Sequence, residues 1–484
     1  QHPDLIQMNT SKKPDLSFFQ IILPVLFLGI IIIYGLVIRP IFLEQPAFPL
    51  EIVFLLASVF AIAQLMMLGF GWEEIQHSFI QKLARGFPAI LILFAIGIII
   101  GTWMVSGTIP MMIYYGIRLI SPSYIYVLAF FIPIIFSTLT GTSWGSIGTI
   151  GVVIIGVAAV IEANLGITAG AIVGGAFFGD KLSPLSDTTN IAAIATEVDL
   201  YDHIRSMMFT TFPSALIATA IYFILGLLYP PASSEIDSQQ IAPTLNAIAS
   251  IFNFNGLLLI PPVIVLVGSI RKMATLPTLL ISSLSAAILA LIFQPFTISD
   301  IMTTIHKGFD TNMAFWNSAT PEGIKVLFNR GGLYELNEAI IFSIMVFIFI
   351  GTIDLIDAMP TIVNRIFGFI KSKSSLIISS LFATAFTNGI TSNQSATSFI
   401  IGDAFGKRYD QSGVSRKVLS RSIEDYGTMF ESLIPWHATT IFLTTTLGVS
   451  YGEYWHWQLL SLINLVMAPT LAILGKGCYY TEKT

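Results

Sequence analysis

One segment of the sequence concentrates carboxylates, hydroxyls and helix-breaking residues inside an apolar stretch. It runs from Gly174 to Asn190 and reads GGAFFGDKLSPLSDTTN. Pro184 lacks a backbone N–H and leaves carbonyl groups free at this point of a helix. Carboxylate, hydroxyl and carbonyl oxygens are hard donors of the kind that suits a small cation such as Na⁺. The predicted ion- and proton-binding residues here are Asp180, Ser183, Ser186, Asp187, Thr188 and Asn190, with Na⁺ on Asp180, Asp187 and Thr188.

The composition places this segment in a membrane. The chain has 484 residues, of which 54% are apolar and only 11% are charged, whereas soluble proteins have about 25% charged residues. Apolar runs of about 20 residues are long enough to cross a ~30 Å hydrocarbon layer. The single cysteine excludes a disulfide framework and a cysteine-based metal cluster. The sequence therefore predicts an all-α polytopic membrane protein, and it disfavours a soluble enzyme, a nucleic-acid-binding protein and a secreted protein.

The depth of Asp180 in the bilayer follows from helix geometry. A helix that begins near Ile167 reaches Asp180 after about 13 residues, or roughly 20 Å, which places the carboxylate near the midplane. A carboxylate there can hold either a proton or a cation, and that competition is sufficient for exchange. Lys181 is a candidate for the proton path, since charges inside the membrane mark pathways by default. The alternative is an ion pair of Lys181 with Asp180 or Asp187 that only holds the break together.

A second segment, from Val418 to Thr440, has a similar arrangement. Glu431 precedes Pro435 and is predicted to bind ions or protons at the midplane. Glu424 and Asp425 are interpreted either as part of a proton path or gate, or as partners of Arg421 in a helix-face salt bridge. His437 either shuttles protons or is a hydrogen-bonded structural residue.

Two further polar segments interrupt apolar helices and predict the tips of helical hairpins, at residues 138–146 and 387–395. Half-helices that meet at such tips direct backbone groups and dipole ends at a site. The alternative is that small residues allow close helix packing, which explains Asn388, Asn393 and Gln394 poorly. The predicted binding residues at the tips are Thr142, Ser143, Asn388, Ser392, Asn393 and Gln394. Asp354, on the same helix face as Asp357, is a candidate for the proton path.

The distribution of Lys and Arg sets the predicted topology. If most of the 23 basic residues face the cytoplasm, the chain has about ten transmembrane spans, two re-entrant hairpins and both termini in the cytoplasm. In this topology every Arg lies in a loop. The predicted divisions are a tail with two scaffold spans (1–86), a first repeat (87–229, with hairpin 121–161 and broken helix 167–200), linking spans and external loops (230–334), a second repeat (335–475, with hairpin 374–405 and broken helix 418–448) and a cytoplasmic tail (476–484).

An internal repeat is visible at a nearly constant offset. Asp180 matches Glu431, and Thr188-Thr189 matches Thr439-Thr440, both 251 residues later. The identities fall on helix breakers and hydroxyls, where chance agreement is rarer than among apolar residues. In the predicted topology the two copies have opposite orientations. Inverted repeats with discontinuous helices are typical of secondary transporters.

The motif 179–189 (GDKLSPLSDTT), together with residues 140–145 (TGTSWG) and 424–427 (EDYG), resembles the NhaC family of bacterial Na⁺/H⁺ antiporters. The resemblance covers residues 50 to 470. It implies Na⁺/H⁺ exchange in the bacterial inner membrane for pH and sodium homeostasis, with Na⁺ and H⁺, and Li⁺ as a further candidate, as transported ions and with no cofactor. It also implies a homodimer with elevator-like alternating access.

Other functions remain as alternatives at this stage. The same family includes exchangers of malate and protons for lactate and Na⁺. The absence of an Arg from the predicted midplane, where it could bind a dicarboxylate through two hydrogen bonds, favours simple Na⁺/H⁺ exchange. A channel would pass Na⁺ without counter-movement of protons. Enzyme activity is not expected, because the sequence has no His-Glu-x-x-His, Gly-x-Gly-Asp or Gly-x-Ser-Gly motif of intramembrane proteases.

Overall fold

A computed structural model describes residues 16–119, 121–231, 238–316, 325, 327–368 and 372–480. In this part of the chain, nine helices are long and apolar enough to cross a bilayer, or up to 11 if each of two bent helix pairs counts as one span. The predicted all-α polytopic fold is confirmed. The chain divides into two compact units, Gln1–Gly86 with Ile344–Ile366, and Phe87–Ser343 with Phe367–Thr484.

The smaller unit is built from the first two spans and the segments that pack on them. Phe27 and Phe60 stack with ring centroids 4.0 Å apart and join these two spans. The Ser78 hydroxyl donates to the Gly351 carbonyl oxygen at 2.6 Å. The helices are Phe18–Phe42, which includes a π-helical stretch at Ile33–Ile38, then Leu50–Met67, the beginning of Trp72–Val105, the end of Asn337–Asp354, and Ala358–Ile366.

The larger unit contains all the segments that the sequence predicts to bind ions. Its helices up to residue 343 are the end of Trp72–Val105, then Thr108–Leu119, Ile125–Thr140, Ser143–Val160, Leu165–Leu182, Asp187–Ala195, Leu200–Leu228, Ser238–Ile251, Ile260–Ile270, Thr275–Phe293 and Ile298–Lys307, followed by the beginning of Asn337–Asp354. Its later helices are Lys373–Thr391, Gln394–Ser412, Arg416–Ile423, Ala438–Leu447, Tyr451–Tyr454 and Leu459–Leu474.

Each half of the chain has a helical hairpin with a tight turn. In the first hairpin, helices Ile125–Thr140 and Ser143–Val160 are joined at Gly141, whose φ of 68° lies in the left-handed region that glycine adopts without strain. In the second hairpin, helices Lys373–Thr391 and Gln394–Ser412 are joined at Ser392, which has a φ of 47°. That the hairpins are re-entrant stays a prediction.

A broken helix follows each hairpin. The first ends at Leu182 and resumes at Asp187; we call residues 183–186 the first break. The second runs from Arg416 through a π-helical turn, Glu424–Thr428, ends at Glu431 and resumes at Ala438; we call residues 432–437 the second break. A proline in each break prevents the helix from continuing.

The first hairpin lies very close to the first broken helix because two glycines leave room for it. A Cβ on Gly175 would lie 2.1 Å from the Phe130 carbonyl oxygen, and one on Gly179 would lie 2.5 Å from the Thr138 backbone nitrogen. The Ser137 hydroxyl donates to the Ala176 carbonyl oxygen at 2.7 Å across the same contact. This packing holds the hairpin tip beside Asp180.

Several element boundaries differ from the sequence prediction. The sequence predicts a span near residues 88–112, but the structure has a longer helix, Trp72–Val105, because Pro88 lies inside it without ending it. Gly107, with a φ of 84°, separates it from the next helix. The second hairpin extends to Ser412 rather than 405, so two basic residues assigned to a loop, Lys407 and Arg408, are helical. The sequence predicts an external loop at residues 230–250. In the structure, most of helix Ser238–Ile251 lies in this segment.

Candidate functional site

Asp180 lies where the first broken helix meets the tip of the first hairpin. Only 5% of its surface is exposed. The Ser143 hydroxyl, from the hairpin tip, donates to Asp180 Oδ2 at 2.6 Å, and the Ser186 hydroxyl from the first break also interacts with this carboxylate. The structure therefore surrounds one buried carboxylate with hydroxyl groups from two segments.

The other polar residues of the first break satisfy backbone groups that the missing helical turn leaves free. The Ser183 hydroxyl donates to the Thr138 carbonyl oxygen at 2.8 Å and so ties the break to the hairpin. The Asn190 amide donates to the carbonyl oxygens of Pro184 and Ser186, at 3.0 and 2.7 Å. In this conformation, Ser183 and Asn190 brace the break, and their oxygens do not form a set of ligands around Asp180.

Two further predicted ligands differ from Asp180 in their surroundings. Asp187 is the first residue of helix Asp187–Ala195, and its side chain is exposed. The Thr188 hydroxyl contacts the Ser186 hydroxyl at 3.1 Å. The neighbouring Thr189, which the sequence prediction did not include, is fully buried and donates to the carbonyl oxygens of Asp180 and Lys181, at 3.3 and 3.1 Å.

The second break positions Glu431 beside the second hairpin. Glu431 Oε2 accepts a hydrogen bond from the Thr439 hydroxyl at 3.1 Å and lies 3.6 Å from His437 Nε2. The same nitrogen is 3.4 Å from Asn388 Oδ1 of the hairpin. His437 Nδ1 accepts from the Thr439 backbone N–H and caps helix Ala438–Leu447. His437 thus has a structural role in this conformation, and it also links Glu431 to the hairpin.

The hairpin tips are closed by their own polar residues. Thr142 and Asn393 are helix N-caps at equivalent positions, each accepting from a backbone N–H three residues later. The Ser392 hydroxyl accepts from the Ala438 backbone N–H at 2.8 Å, and the Gln394 amide donates to the Ile423 carbonyl oxygen at 3.1 Å. Of the six predicted tip residues, Ser143 directly contacts a predicted carboxylate, and Asn388 reaches Glu431 through His437.

A buried ion pair connects the end of the first broken helix to the second broken helix. Lys181, which is fully buried, pairs with Asp425 in the π-helical turn. Asp425 Oδ1 also accepts from Thr210 at 2.9 Å and from Asn464 at 3.0 Å. The predicted alternative, a pair of Lys181 with Asp180 or Asp187, is wrong, because the lysine side chain extends across to the other half of the chain.

Arg421 and Glu424 complete this charged group. Arg421 is 2% exposed inside helix Arg416–Ile423, so the prediction that every Arg lies in a loop is wrong. Its guanidinium is 3.9 Å from Asp425 Oδ2 and donates to the Gly477 carbonyl oxygen at 2.9 Å. Glu424 is fully buried and interacts electrostatically with Lys181 and Asp180. We call Asp180, Lys181, Arg421, Glu424, Asp425 and Glu431 the charged cluster.

Asp354 is engaged elsewhere. It belongs to the smaller unit, where its Oδ2 lies 2.6 Å from Lys82 Nζ in a half-buried ion pair. This pair joins the end of helix Asn337–Asp354 to helix Trp72–Val105 within that unit. The contact gives Asp354 a structural role, and a role in the proton path stays a prediction.

The sequence prediction missed several buried polar residues that the structure places at the charged cluster. Thr189 and Thr440 each donate to the carbonyl oxygen of the residue at the helix end, Asp180 and Glu431 respectively. Their signal was present in the Thr-Thr pairs that recur 251 residues apart. Thr210 and Asn464 could have been found as polar residues inside apolar segments, which form helices Leu200–Leu228 and Leu459–Leu474.

The fold and these residues define a multi-pass helical membrane protein with carboxylates, a lysine and an arginine buried where helices are interrupted. Charged groups inside a bilayer are costly, and they are typical of ion and proton pathways. These features are typical of membrane ion transporters as a class.

Comparison with known proteins gives the family. A sequence model described as the Na⁺/H⁺ antiporter family matches residues 175–476. The chain is 40% identical to an uncharacterised Na⁺/H⁺ antiporter of Haemophilus influenzae, over 91% of this chain and 93% of that protein. It is 33% identical to the Na⁺/H⁺ antiporter NhaC of Alkalihalophilus pseudofirmus, over 96% and 97%. It is 30% identical to the malate-2H⁺/Na⁺-lactate antiporter of Bacillus subtilis, over 95% and 97%. The chain belongs to the Na⁺/H⁺ antiporter family and resembles its NhaC members along most of its length.

Proposed function

We propose that this protein exchanges Na⁺ for H⁺ across the bacterial cytoplasmic membrane, with Na⁺ binding at Asp180. The observation that carries the proposal is the contact of the buried Asp180 carboxylate with the Ser143 hydroxyl at 2.6 Å, at the point where a helix ends. Hydroxyl oxygens on both sides of the carboxylate can turn their lone pairs toward a cation. Asp187 and Thr188, at the start of the next helix, are the further predicted ligands.

Protons and Na⁺ compete in this proposal for the buried carboxylates of the charged cluster. A buried carboxylate without a counter-charge is unfavourable, so the departure of Na⁺ favours uptake of a proton. This competition couples the two ions without direct contact between them. Alternating access by inverted repeats, elevator-like movement and a homodimer are further parts of the proposal, suggested by the family resemblance.

The corresponding backbone contacts of the two halves support the proposed repeat. Thr189 and Thr440 both donate to the carbonyl oxygen at the end of a broken helix. A side chain from each break donates to the equivalent hairpin carbonyl, Ser183 to Thr138 and Trp436 to Gly389. The threonines and the hairpin carbonyls are related by the offset of 251 residues that the sequence shows, and the donors Ser183 and Trp436 lie within two residues of it.

Organic-acid exchange is the second candidate, and the Bacillus relative that is 30% identical supports it. A dicarboxylate would need a cationic partner, and Arg421 is a buried guanidinium. The guanidinium nitrogens of Arg421, however, already face Asp425 and the Gly477 carbonyl oxygen. This engagement favours simple Na⁺/H⁺ exchange.

The test uses everted membrane vesicles from bacteria that lack their own antiporters, with a fluorescent pH probe. Wild-type protein should move protons on addition of Na⁺, and the Asp180→Asn variant, inserted at wild-type level, should not. Parallel additions of Li⁺, K⁺, malate and lactate distinguish the two candidate functions. Full activity of Asp180→Asn would reject the proposed site, and Na⁺ movement without proton movement in the wild type would indicate a channel.

A further inference from the structure

The two adjacent carboxylates of the π-helical turn have different surroundings. Asp425 Oδ1 forms an ion pair with Lys181 and accepts hydrogen bonds from Thr210 and Asn464. The Arg421 guanidinium lies 3.9 Å from Oδ2. Two positive charges and two neutral donors stabilise its negative charge. Asp425 therefore has a full set of partners on Oδ1 and holds Lys181 in place.

Glu424 has no comparable partners. It is fully buried, and neither carboxylate oxygen has a hydrogen-bond partner among the described residues. The Thr428 hydroxyl lies near it and is also unpaired. The π-helical turn Glu424–Thr428, a conformation that is frequent at functional sites, places the carboxylates of two consecutive residues inside the protein. A buried carboxylate with so few partners is stable only if it carries a proton or faces an additional positive charge.

The remaining titratable groups around Glu424 are engaged. Asp180 accepts from Ser143, and Glu431 accepts from the Thr439 hydroxyl. His203, which packs near Lys181, contacts the Ser420 hydroxyl at 2.7 Å. Glu424 thus combines complete burial with carboxylate oxygens that have no hydrogen-bond partner in the described part of the chain, and it interacts electrostatically with both Asp180 and Glu431.

We infer that Glu424, and not Asp180, takes up the proton that replaces Na⁺ during exchange. The inference rests on the proposed function, in which Na⁺ binds Asp180. Na⁺ at Asp180 adds one positive charge near Glu424 and permits Glu424 to be ionised. When Na⁺ leaves, one proton from water binds a Glu424 oxygen and restores the charge of the cluster.

The test separates Na⁺ binding from proton coupling in proteoliposomes of the purified full chain. Exchange of radioactive Na⁺ for unlabelled Na⁺ requires only the Na⁺-loaded protein, whereas Na⁺ efflux driven by a pH gradient requires the proton step. Glu424→Gln imitates the protonated carboxyl. This variant should retain Na⁺/Na⁺ exchange and lose pH-driven Na⁺ efflux by ~100-fold, within the range known for loss of a proton-transferring residue. Glu424→Asp should retain coupling, and Glu162→Gln, at an exposed position, is the matched control.

Each result decides the inference. Retained proton coupling in Glu424→Gln would overturn it. Loss of both activities would make Glu424 part of the Na⁺ site, and failure of the variant to insert would show that no neutral carboxyl is tolerated there; both outcomes contradict the inference. Loss of coupling in Glu424→Asp as well would indicate that side-chain shape and not the carboxyl matters. Asp180→Asn tests the proposed function separately, because it should abolish Na⁺/Na⁺ exchange whatever Glu424 does.

Discussion

The first and second breaks have the same backbone plan but different chemistry. In both, the last turn of a helix carries a buried carboxylate, and a threonine nine residues later donates to the carbonyl oxygen of that residue. In both, the facing hairpin turns through a left-handed residue, Gly141 or Ser392, followed by a capping side chain. The shared features are those that terminate and brace helices.

The differences lie in the groups around the carboxylates. Asp180 faces the small hydroxyls of Ser143 and Ser186, whereas Glu431 faces His437 and, through it, Asn388. Small hydroxyls leave oxygen atoms near the carboxylate and suit a cation, while an imidazole and an amide occupy the corresponding space. The comparison indicates that the scaffold is common to both halves and that the first half supplies the proposed Na⁺ ligands.

The sharpest test of this comparison replaces the two carboxylates by their amides. Asp180→Asn should lower Na⁺/H⁺ exchange at least ~100-fold, equivalent to about 2.8 kcal/mol of Na⁺ binding, and Glu431→Gln should lower it about 10-fold. The reason is that Asp180 contributes a ligand charge and Glu431 acts on the site from a distance. Exchange rates against Na⁺ concentration in vesicles measure both effects. Equal losses in the two variants would remove the proposed distinction between the breaks.

The closeness of the contact between each hairpin and its broken helix should also differ. A Cβ on Gly179 would meet the Thr138 backbone nitrogen at 2.5 Å, but a Cβ on Gly389 would meet only the end of the Ile434 side chain at 3.7 Å. Gly179→Ala should destabilise the protein by about 1–3 kcal/mol through overpacking. Gly389→Ala should be neutral or stabilising by up to about 1 kcal/mol, because alanine favours helix. Thermal unfolding of the purified variants in detergent measures the difference, and a Gly179→Ala variant of wild-type stability would contradict the packing.

Apolar periodicity and helix breakers were sufficient to predict the helical hairpins and the broken helices. The proximity of Ser186 to Asp180 was predictable because the two residues are local in sequence, whereas Ser143 lies 37 residues from Asp180 and was predicted only as part of a hairpin tip. The resemblance to the NhaC antiporters, carried by the motif 179–189, is confirmed by the family comparison.

Contacts between distant segments could not be predicted in the same way. Lys181 and Asp425 lie 244 residues apart, and no single sequence specifies which of several nearby carboxylates a lysine reaches. Arg421 was placed in a loop because the topology assigned most basic residues to the cytoplasmic side. Its burial depends on the Gly477 carbonyl oxygen and Asp425, which tertiary packing brings to it. Asp187 was grouped with Asp180 by spacing, but the first helical position after the break leaves it exposed.

Substitutions at the hairpin tips should have effects of intermediate size on exchange. Ser143 and Gln394 occupy equivalent positions, but Ser143 donates to Asp180, whereas Gln394 donates to the Ile423 carbonyl oxygen. Loss of a hydrogen bond to a charged group costs about 1.5 kcal/mol, so Ser143→Ala should raise the Na⁺ concentration for half-maximal exchange about 10-fold. Gln394→Ala should raise it less and act mainly on stability. Ser146→Ala, which removes a hydroxyl of the same tip that bonds to Thr142, is the control for non-specific effects.

The smallest effects are expected for the threonine hydroxyl bonds that the two breaks share. Thr189→Val and Thr440→Val remove equivalent hydroxyl bonds, at 3.3 Å to the Asp180 carbonyl oxygen and 3.1 Å to the Glu431 carbonyl oxygen. Each variant keeps the shape of the side chain and leaves one carbonyl less satisfied, so each should lower stability by about 1 kcal/mol. Because the hydroxyls brace the backbone and bind no ion in this proposal, the two losses should be similar, and thermal unfolding measures them. A large drop in Na⁺ affinity for Thr189→Val alone would instead make Thr189 an ion ligand. The two breaks would then differ also in the role of this threonine.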